Sequence, residues 1–312
     1  MKKGINYDTG ILPGDDLSRQ SFDPATVAQE MGVIAGDLHC QVVRVSGRDP
    51  GRLAVAAERA AQAGLEVWYA PFPVDLTEDE MLDLFAEAAG QAESLRRDGA
   101  EIVFVTGCEI TAFGHGFIEG AAYRDRLKAM GEGDAAWWTE VMGVMPRFNA
   151  YLARVAETVR SRFGGRVTYA SGPWEQVDWT PYDIVGVDAY RASHNAHDFT
   201  DELRACFKHG KPVAVTEFGT CPYRGAGELG GMAWAVPEGA VRDEGEQVRY
   251  FTELMDVFEA EGVDTALWFT FAAYNRLGDD DLGSYGVVTM LDETRRRPRE
   301  IFHAMAARYS RS

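Results

Sequence analysis

The 312-residue chain is poor in lysine, histidine and cysteine, and each shortage narrows what it can be. Only Lys2, Lys3, Lys128, Lys208 and Lys211 represent lysine, and 31 basic residues face 49 acidic ones, for a formal charge of −18. So acidic a chain repels phosphate backbones and anionic membrane surfaces, and no basic stripe offsets it, so nucleic acid is not an expected partner. The four cysteines, Cys40, Cys108, Cys206 and Cys221, are far apart with no Cys-x-x-Cys pair. Neither a zinc knuckle nor a dense disulfide frame is expected. No apolar run is long enough to span a bilayer, so no membrane partner is expected either. MKKGINYDTG has two lysines but no apolar segment followed by a small-residue cleavage site. The expectation is therefore a reducing, cytoplasmic protein. No Walker A sequence occurs, and YDTGILPGDD after the first strand holds no GxGxxG; the Gly-rich RGAGELGG (224–231) follows the seventh strand, with no basic group near it beyond Arg224.

What is present is an ordinary globular composition, with 46% hydrophobic and 26% charged residues. Short runs rich in Val, Ile, Tyr and Phe recur along the whole length: 3–8, 41–47, 66–72, 101–107, 166–172, 183–190, 212–219 and 265–271. Segments of helical spacing separate them, notably 52–64, 78–97, 149–163 and 246–262, and a last helix is expected over 299–310. Near-continuous apolar strands alternating with amphipathic helices imply a parallel sheet covered on its faces. Eight strands without a phosphate turn after the first favour a (β/α)8 TIM barrel over a doubly wound sheet. With no repeat or low-complexity linker, residues 1–312 read as a single (β/α)8 catalytic domain. The connections at 111–136, 220–241 and 272–298 are long, Gly-rich and aromatic. They follow strands 4, 7 and 8, which puts them on the face where barrels build their sites.

Two strands end on a glutamate: EIVFVTGCEI on Glu109 and KPVAVTEFGT on Glu217. In a barrel both ends face the same mouth. Paired carboxylates across one pocket are what glycosidic bond cleavage requires, one as nucleophile and one as proton donor, their pKa values pushed apart by environment. Arg44 in the second strand and Tyr190 at the end of the sixth can hold one of them ionised. Tyr69, Trp174, Trp234 and Trp268 are candidate platforms for sugar faces, though Tyr69 also fits a core position. Asn6, in the first strand's KGINYD, is counted with the substrate-binding candidates. Asp188 shares the inward face of Tyr190 and needs a partner, for which Arg44 is a candidate.

Taken in this order on these strands, the motifs resemble those of the clan A glycoside hydrolases, and the likeness covers essentially the whole chain. TGCEI is similar to the segment carrying that clan's acid/base, at Glu109, and VTEFGT to the segment carrying its nucleophile, at Glu217. VRVS, GVDAY and ALWFTF resemble the supporting segments, at Arg44, Tyr190 and Trp268. The resemblance implies a retaining hydrolase of an oligosaccharide or small glycoside, with a carbohydrate substrate and no cofactor. One departure stands out: the clan has Asn immediately before the acid/base, where this chain has Cys108.

Blander readings exist for each feature. A strand-end Glu can cap a helix, and Arg44 can be a buried structural ion-pair partner. His194 and His197 lack a third metal ligand and read as a solvated loop. The aspartates of GDDDLG (278–283) fit no EF-hand spacing and read as an exposed turn. Cys108 and Cys221 flank the glutamates, yet no histidine is placed to activate either thiol. No metal site is expected. The rival from a different class is a non-catalytic carbohydrate-binding or scaffold protein on a degenerate barrel.

Overall fold

The computed structural model describes residues 1–14 and 17–311. In chain order the elements are β1 (Lys2–Asp8), α1 (Pro24–Gly32), β2 (Val42–Gly47), α2 (Pro50–Gln62), β3 (Glu66–Pro71), α3 (Glu78–Arg97) and β4 (Ile102–Cys108). There follow α4 (Ile110–Phe113), α5 (Tyr123–Glu132), α6 (Ala135–Arg160), β5 (Arg166–Ala170), β6 (Val185–Asp188), α7 (Phe199–Cys206) and β7 (Val213–Phe218). The chain ends with α8 (Glu244–Glu261), β8 (Thr265–Trp268), a β9 (Val288–Met290) and β10 (Arg296–Pro298) hairpin, and α9 (Glu300–Tyr309). Local signals set the helix starts: Asp49 caps α2 ahead of Pro50, and Thr77 and Glu80 form a reciprocal capping box on α3.

The eight-stranded sheet runs β5-β4-β3-β2-β1-β8-β7-β6, all pairs parallel. Its ends meet where Ser171, one residue past β5, bridges Val187 of β6. There the Ser171 N–H donates to Gly186 and the Asp188 N–H to Ser171, at 3.0 and 2.9 Å. The sheet is thus a barrel, as the strand count implied. The β5–β6 connection carries no helix, so the alternation is incomplete at that one step. Among the described residues no helix is long and apolar enough to cross a membrane.

Apolar side chains form two layers. Val42, Trp68, Val103, Val105, Ala214 and Leu267 fill the barrel interior, while Val43, Phe104, Phe218 and Trp268 pack outward beneath the helices. Strands β2, β3 and β4 are buried at every residue, which is why their sequences show no alternation.

Regular pairing fails at three places. Register shifts between Val105 and Cys108 on β4, between Val187 and Asp188 on β6, and between Val215 and Phe218 on β7. Bulges re-aim the side chains that follow them. Each of these irregularities lies just before, or contains, a candidate site residue: Cys108 and Glu109, Asp188, and Glu217. At the first, Gly107 has φ +100°, and a Cβ there would sit 2.7 Å from the Ile110 side chain. Glycine is needed for both reasons.

Candidate active site

Glu109 is held in an unusual backbone conformation. Its φ of +45° is left-handed for a non-glycine residue, a state that persists only where the surroundings enforce it. Three hydrogen bonds do so. The Glu109 N–H donates to the Ala170 carbonyl at 3.0 Å, the Ile110 N–H to the Tyr169 hydroxyl at 2.8 Å, and the Thr111 N–H to Glu175 Oε1 at 3.1 Å. Glu175 is buried and also accepts from the Thr111 and Tyr169 hydroxyls, at 2.7 and 2.8 Å, and from the Gly172 N–H at 3.1 Å. Burial raises its carboxyl to about 7 against those lowering hydrogen bonds. Tyr169 and Glu175 are supports that the sequence reading missed. Only the position of Glu175, in the turn after a barrel strand, could have marked it.

Glu217 has a different environment. Arg44 Nη1 lies 2.8 Å from its Oε1, and the Tyr190 hydroxyl donates to its Oε2 at 2.9 Å. Arg44 is fully buried, so little solvent screens this pair. Burial, and then the neighbouring Glu217, hold the Tyr190 phenol well above its usual range, so it stays a donor. The Cys108 thiol lies 3.6 Å from the same Glu217 oxygen and 3.4 Å from Asp188 Oδ2. Asp188 is buried and also accepts from Thr216 at 2.7 Å.

Among the described residues Arg44 forms an ion pair with Glu217 alone, while its charge also bears on Glu109 and Asp188. Burial, then the carboxylates of Asp188 and Glu217, push Glu109 well above the ordinary range, outweighing Arg44. Burial and Glu217 push Asp188 upward in the same way. Neighbouring carboxyls oppose one another's ionisation, which favours the protonated form of Glu109 and Asp188. The arrangement splits the glutamates: Glu217 is the one in the ion pair, and Glu109 is the one whose protonated form is favoured. It provides an acid beside a charge-paired carboxylate.

Cys108, Asp188 and Glu217 offer donor atoms within 4.8 Å of one another, a spacing that could suit a metal ion. Burial holds the Cys108 thiol in its protonated form, whereas a metal ligand must be the thiolate. Arg44 also occupies the approach to Glu217. Three of the other metal candidates have protein partners. His197 pairs with Asp198 at 2.9 Å, Asp279 with Arg297 and Arg242, and Asp281 with Arg276 at 2.9 Å.

The other candidates divide. Trp268 is not a platform in the mouth. It is fully buried on the outer face of β8, edge-on to Phe218 and Phe251, and its Nε1 donates to the Tyr285 carbonyl at 3.2 Å. The aromatic ring at the mouth belongs to the next residue, Phe269, which is half-buried and packs 5.6 Å from Tyr285. Asn6 points inward but sits too deep for a ligand. It is 2% exposed, and its amide donates to the carbonyls of Thr216, Trp268 and Leu267. It braces β7 and β8 against β1. Tyr69 faces outward, its hydroxyl donating to Gln91 at 2.7 Å, so it is core. Trp174 is half-buried against Thr111, to which its Nε1 donates at 2.9 Å. Trp234 is exposed on the wall of a cavity of about 830 Å³ that crosses the mouth from Asp8 past Phe269 to Phe113.

No protein-family model and no curated protein sequence matches the chain. Solved structures do share its fold. A GH113 beta-1,4-mannanase superposes with a TM-score of 0.69 at 14% identity, covering 99% of this chain and 98% of that one. The GH113 beta-mannanase of Alicyclobacillus acidocaldarius gives 0.66 at 17% identity, covering 99% and 96%. A b-glucuronidase from Ruminococcus gnavus gives 0.62 at 14%, with 99% of this chain matching 49% of that enzyme. At such identities the likeness establishes the barrel fold.

Proposed function

We propose that the chain is a retaining glycoside hydrolase of clan A type, the whole barrel acting as one catalytic unit. Glu217 attacks the anomeric carbon and expels the leaving group, whose oxygen takes the proton of Glu109. Glu109 then removes a proton from the water that attacks the glycosyl–Glu217 ester, restoring both residues. The observation that carries this reading is the unequal environment of two strand-end glutamates: an arginine and a phenol on Glu217, and for Glu109 a half-buried position where desolvation and the carboxylates of Asp188 and Glu217 push its carboxyl up. Asp188 and Thr216 steady the floor, while Asn6 and Arg44 tie β1 and β2 to β7.

The structural neighbours, mannanases and a glucuronidase, suggest the first sugars to try: β-mannosides and β-glucuronides. The test is hydrolysis of a panel of aryl β-glycosides by the wild-type chain and by Glu217→Gln and Glu109→Gln, with product configuration followed by proton NMR. Retention, turnover abolished by Glu217→Gln, and β-product appearing first are expected. First-formed α-product would replace double displacement by single displacement. If no glycoside turns over while Glu217→Gln binds sugars as well as the wild type, the chain is a carbohydrate-binding barrel instead.

A further inference from the structure

The cavity across the mouth has a polar side, with Gln20, Thr270 and Asn275 on its wall, and an apolar side ill suited to sugar hydroxyls. Its volume, about 830 Å³, falls within the range of small-molecule sites. Neither glutamate lines it, but two of its wall residues are tied to the strand ends that carry them. The Phe269 N–H donates to the carbonyl of Phe218, the residue after Glu217, and the Phe113 N–H to the carbonyl of Glu109. From there Ile11, Leu127, Met232, Trp234 and Leu277 continue the wall. Seven large apolar residues are exposed among those described, and three of them, Met232 (52%), Trp234 (42%) and Leu277 (49%), stand on this one rim. Their clustering marks a binding surface, since scattered apolar residues would not converge. Several of the charged side chains on the wall already have protein partners: Arg19 with Glu30, Arg276 with Asp281, Glu293 with Ser21.

Sugar rings laid along the Met232–Trp234–Leu277 side of this cavity would press hydroxyls against apolar side chains, and each unpaired polar group so buried carries a penalty. An apolar group there would instead be removed from water at no such cost. Granted the hydrolase reading above, we infer that the leaving-group side of the site takes an apolar aglycone, an alkyl or aryl group, rather than further sugar. The reacting sugar lies over Glu109 and Glu217, and the aglycone extends along the rim formed by Met232, Trp234 and Leu277.

Methyl, butyl and octyl β-D-mannosides and β-D-glucosides, below their micelle concentrations, separate the possibilities. Binding to the full chain is measured by calorimetry and hydrolysis by released sugar. Full burial gives about fourfold in affinity per methylene, so octyl over butyl is expected to gain at least tenfold. Met232→Asp and Leu277→Asp should remove most of that gain and leave methyl glycosides unaffected. Affinity independent of chain length overturns the inference, and if methyl glycosides are still hydrolysed, the hydrolase reading survives it. A chain-length gain without turnover of any glycoside supports the apolar site and sinks the hydrolase reading. A dimer that Met232→Asp dissociates, with no chain-length gain, would make the rim an interface between copies and also overturn the inference.

Discussion

Replacing Arg44 by Met tests whether one guanidinium organises the site. At 2.8 Å and an effective dielectric of about 20, its attraction to Glu217 is about 6 kcal/mol. Arg44 returns part of that through its own burial, because Nε and Nη2 find no hydrogen-bond partner among the described residues. Removing one partner of such a pair typically leaves a net loss of about 3–5 kcal/mol. Per-residue unfolding entropies give a chain of this length about 0.65 kcal/mol/K, so Arg44→Met should lower Tm by about 5–8 °C near pH 8. The sign of its pH dependence follows from the neighbours. Glu109 and Asp188 have folded pKa values above their unfolded ones, so the stability they contribute is present at acid pH and lost as pH rises through the folded values. Without the cation those values rise further, and the variant's deficit should narrow on acidification to pH 5. Calorimetric scans of both proteins at pH 5 and 8 make the comparison. A deficit under about 2 °C at pH 8, or one that widens toward acid, would refute the reasoning.

Three further outcomes follow from the same geometry. Glu109→Gln should cost about 10²–10⁴ in kcat/KM on poor leaving groups, spare the first step on dinitrophenyl glycosides, and abolish the alkaline fall that deprotonation of Glu109 gives the wild type; an unchanged pH profile would exclude Glu109 as the acid. Glu175→Gln removes a carboxyl raised from 4.5 to about 7, whose stabilisation is present below pH 4.5 and lost toward pH 7. The wild type should lose roughly 3 kcal/mol over that window, and the variant's urea midpoint should stay flatter. Glu30 is buried and accepts from Tyr7, Arg19, Tyr274 and Arg296. Glu30→Ala should destabilise by about 3–5 kcal/mol. Because Arg19 and Tyr274 form cavity wall, it should raise KM more than it lowers kcat, which steady-state kinetics resolves.

Much of the barrel could be read from sequence because fully buried strands advertise themselves as apolar runs, and Glu109 and Glu217 stand out as charges at their ends. Orientation was harder. A strand buried on both faces has no polar side to fix its phase, so Leu267 and Trp268 look equally able to face the mouth. In the fold Leu267 faces inward, Trp268 outward, and Phe269 takes the mouth. The register shifts on β4, β6 and β7 compound this, because a bulge changes phase within a single strand. Short helices were also lost: α1 and α7 have too few turns to establish a period, and α6 begins at Ala135, well before the expected start at 149. Glu175 and Glu30 stayed hidden because their partners lie on other elements, so nothing adjacent in sequence explains a buried carboxylate.

The three hydrogen bonds that fix Glu109 come from β5 and the turn after it, and Glu217 is fixed from β2 and from Tyr190 after β6. The cavity, by contrast, draws most of its wall from the connections after β1, β4, β7 and β8. On the proposed reading, the reacting carboxyls and the surface that selects the leaving group are therefore separate modules. A transplanted connection after β7 or β8 could redirect the leaving-group preference while the strands keep the two carboxyls in register. That makes this barrel a chassis on which selectivity can be rewritten without retuning the acid.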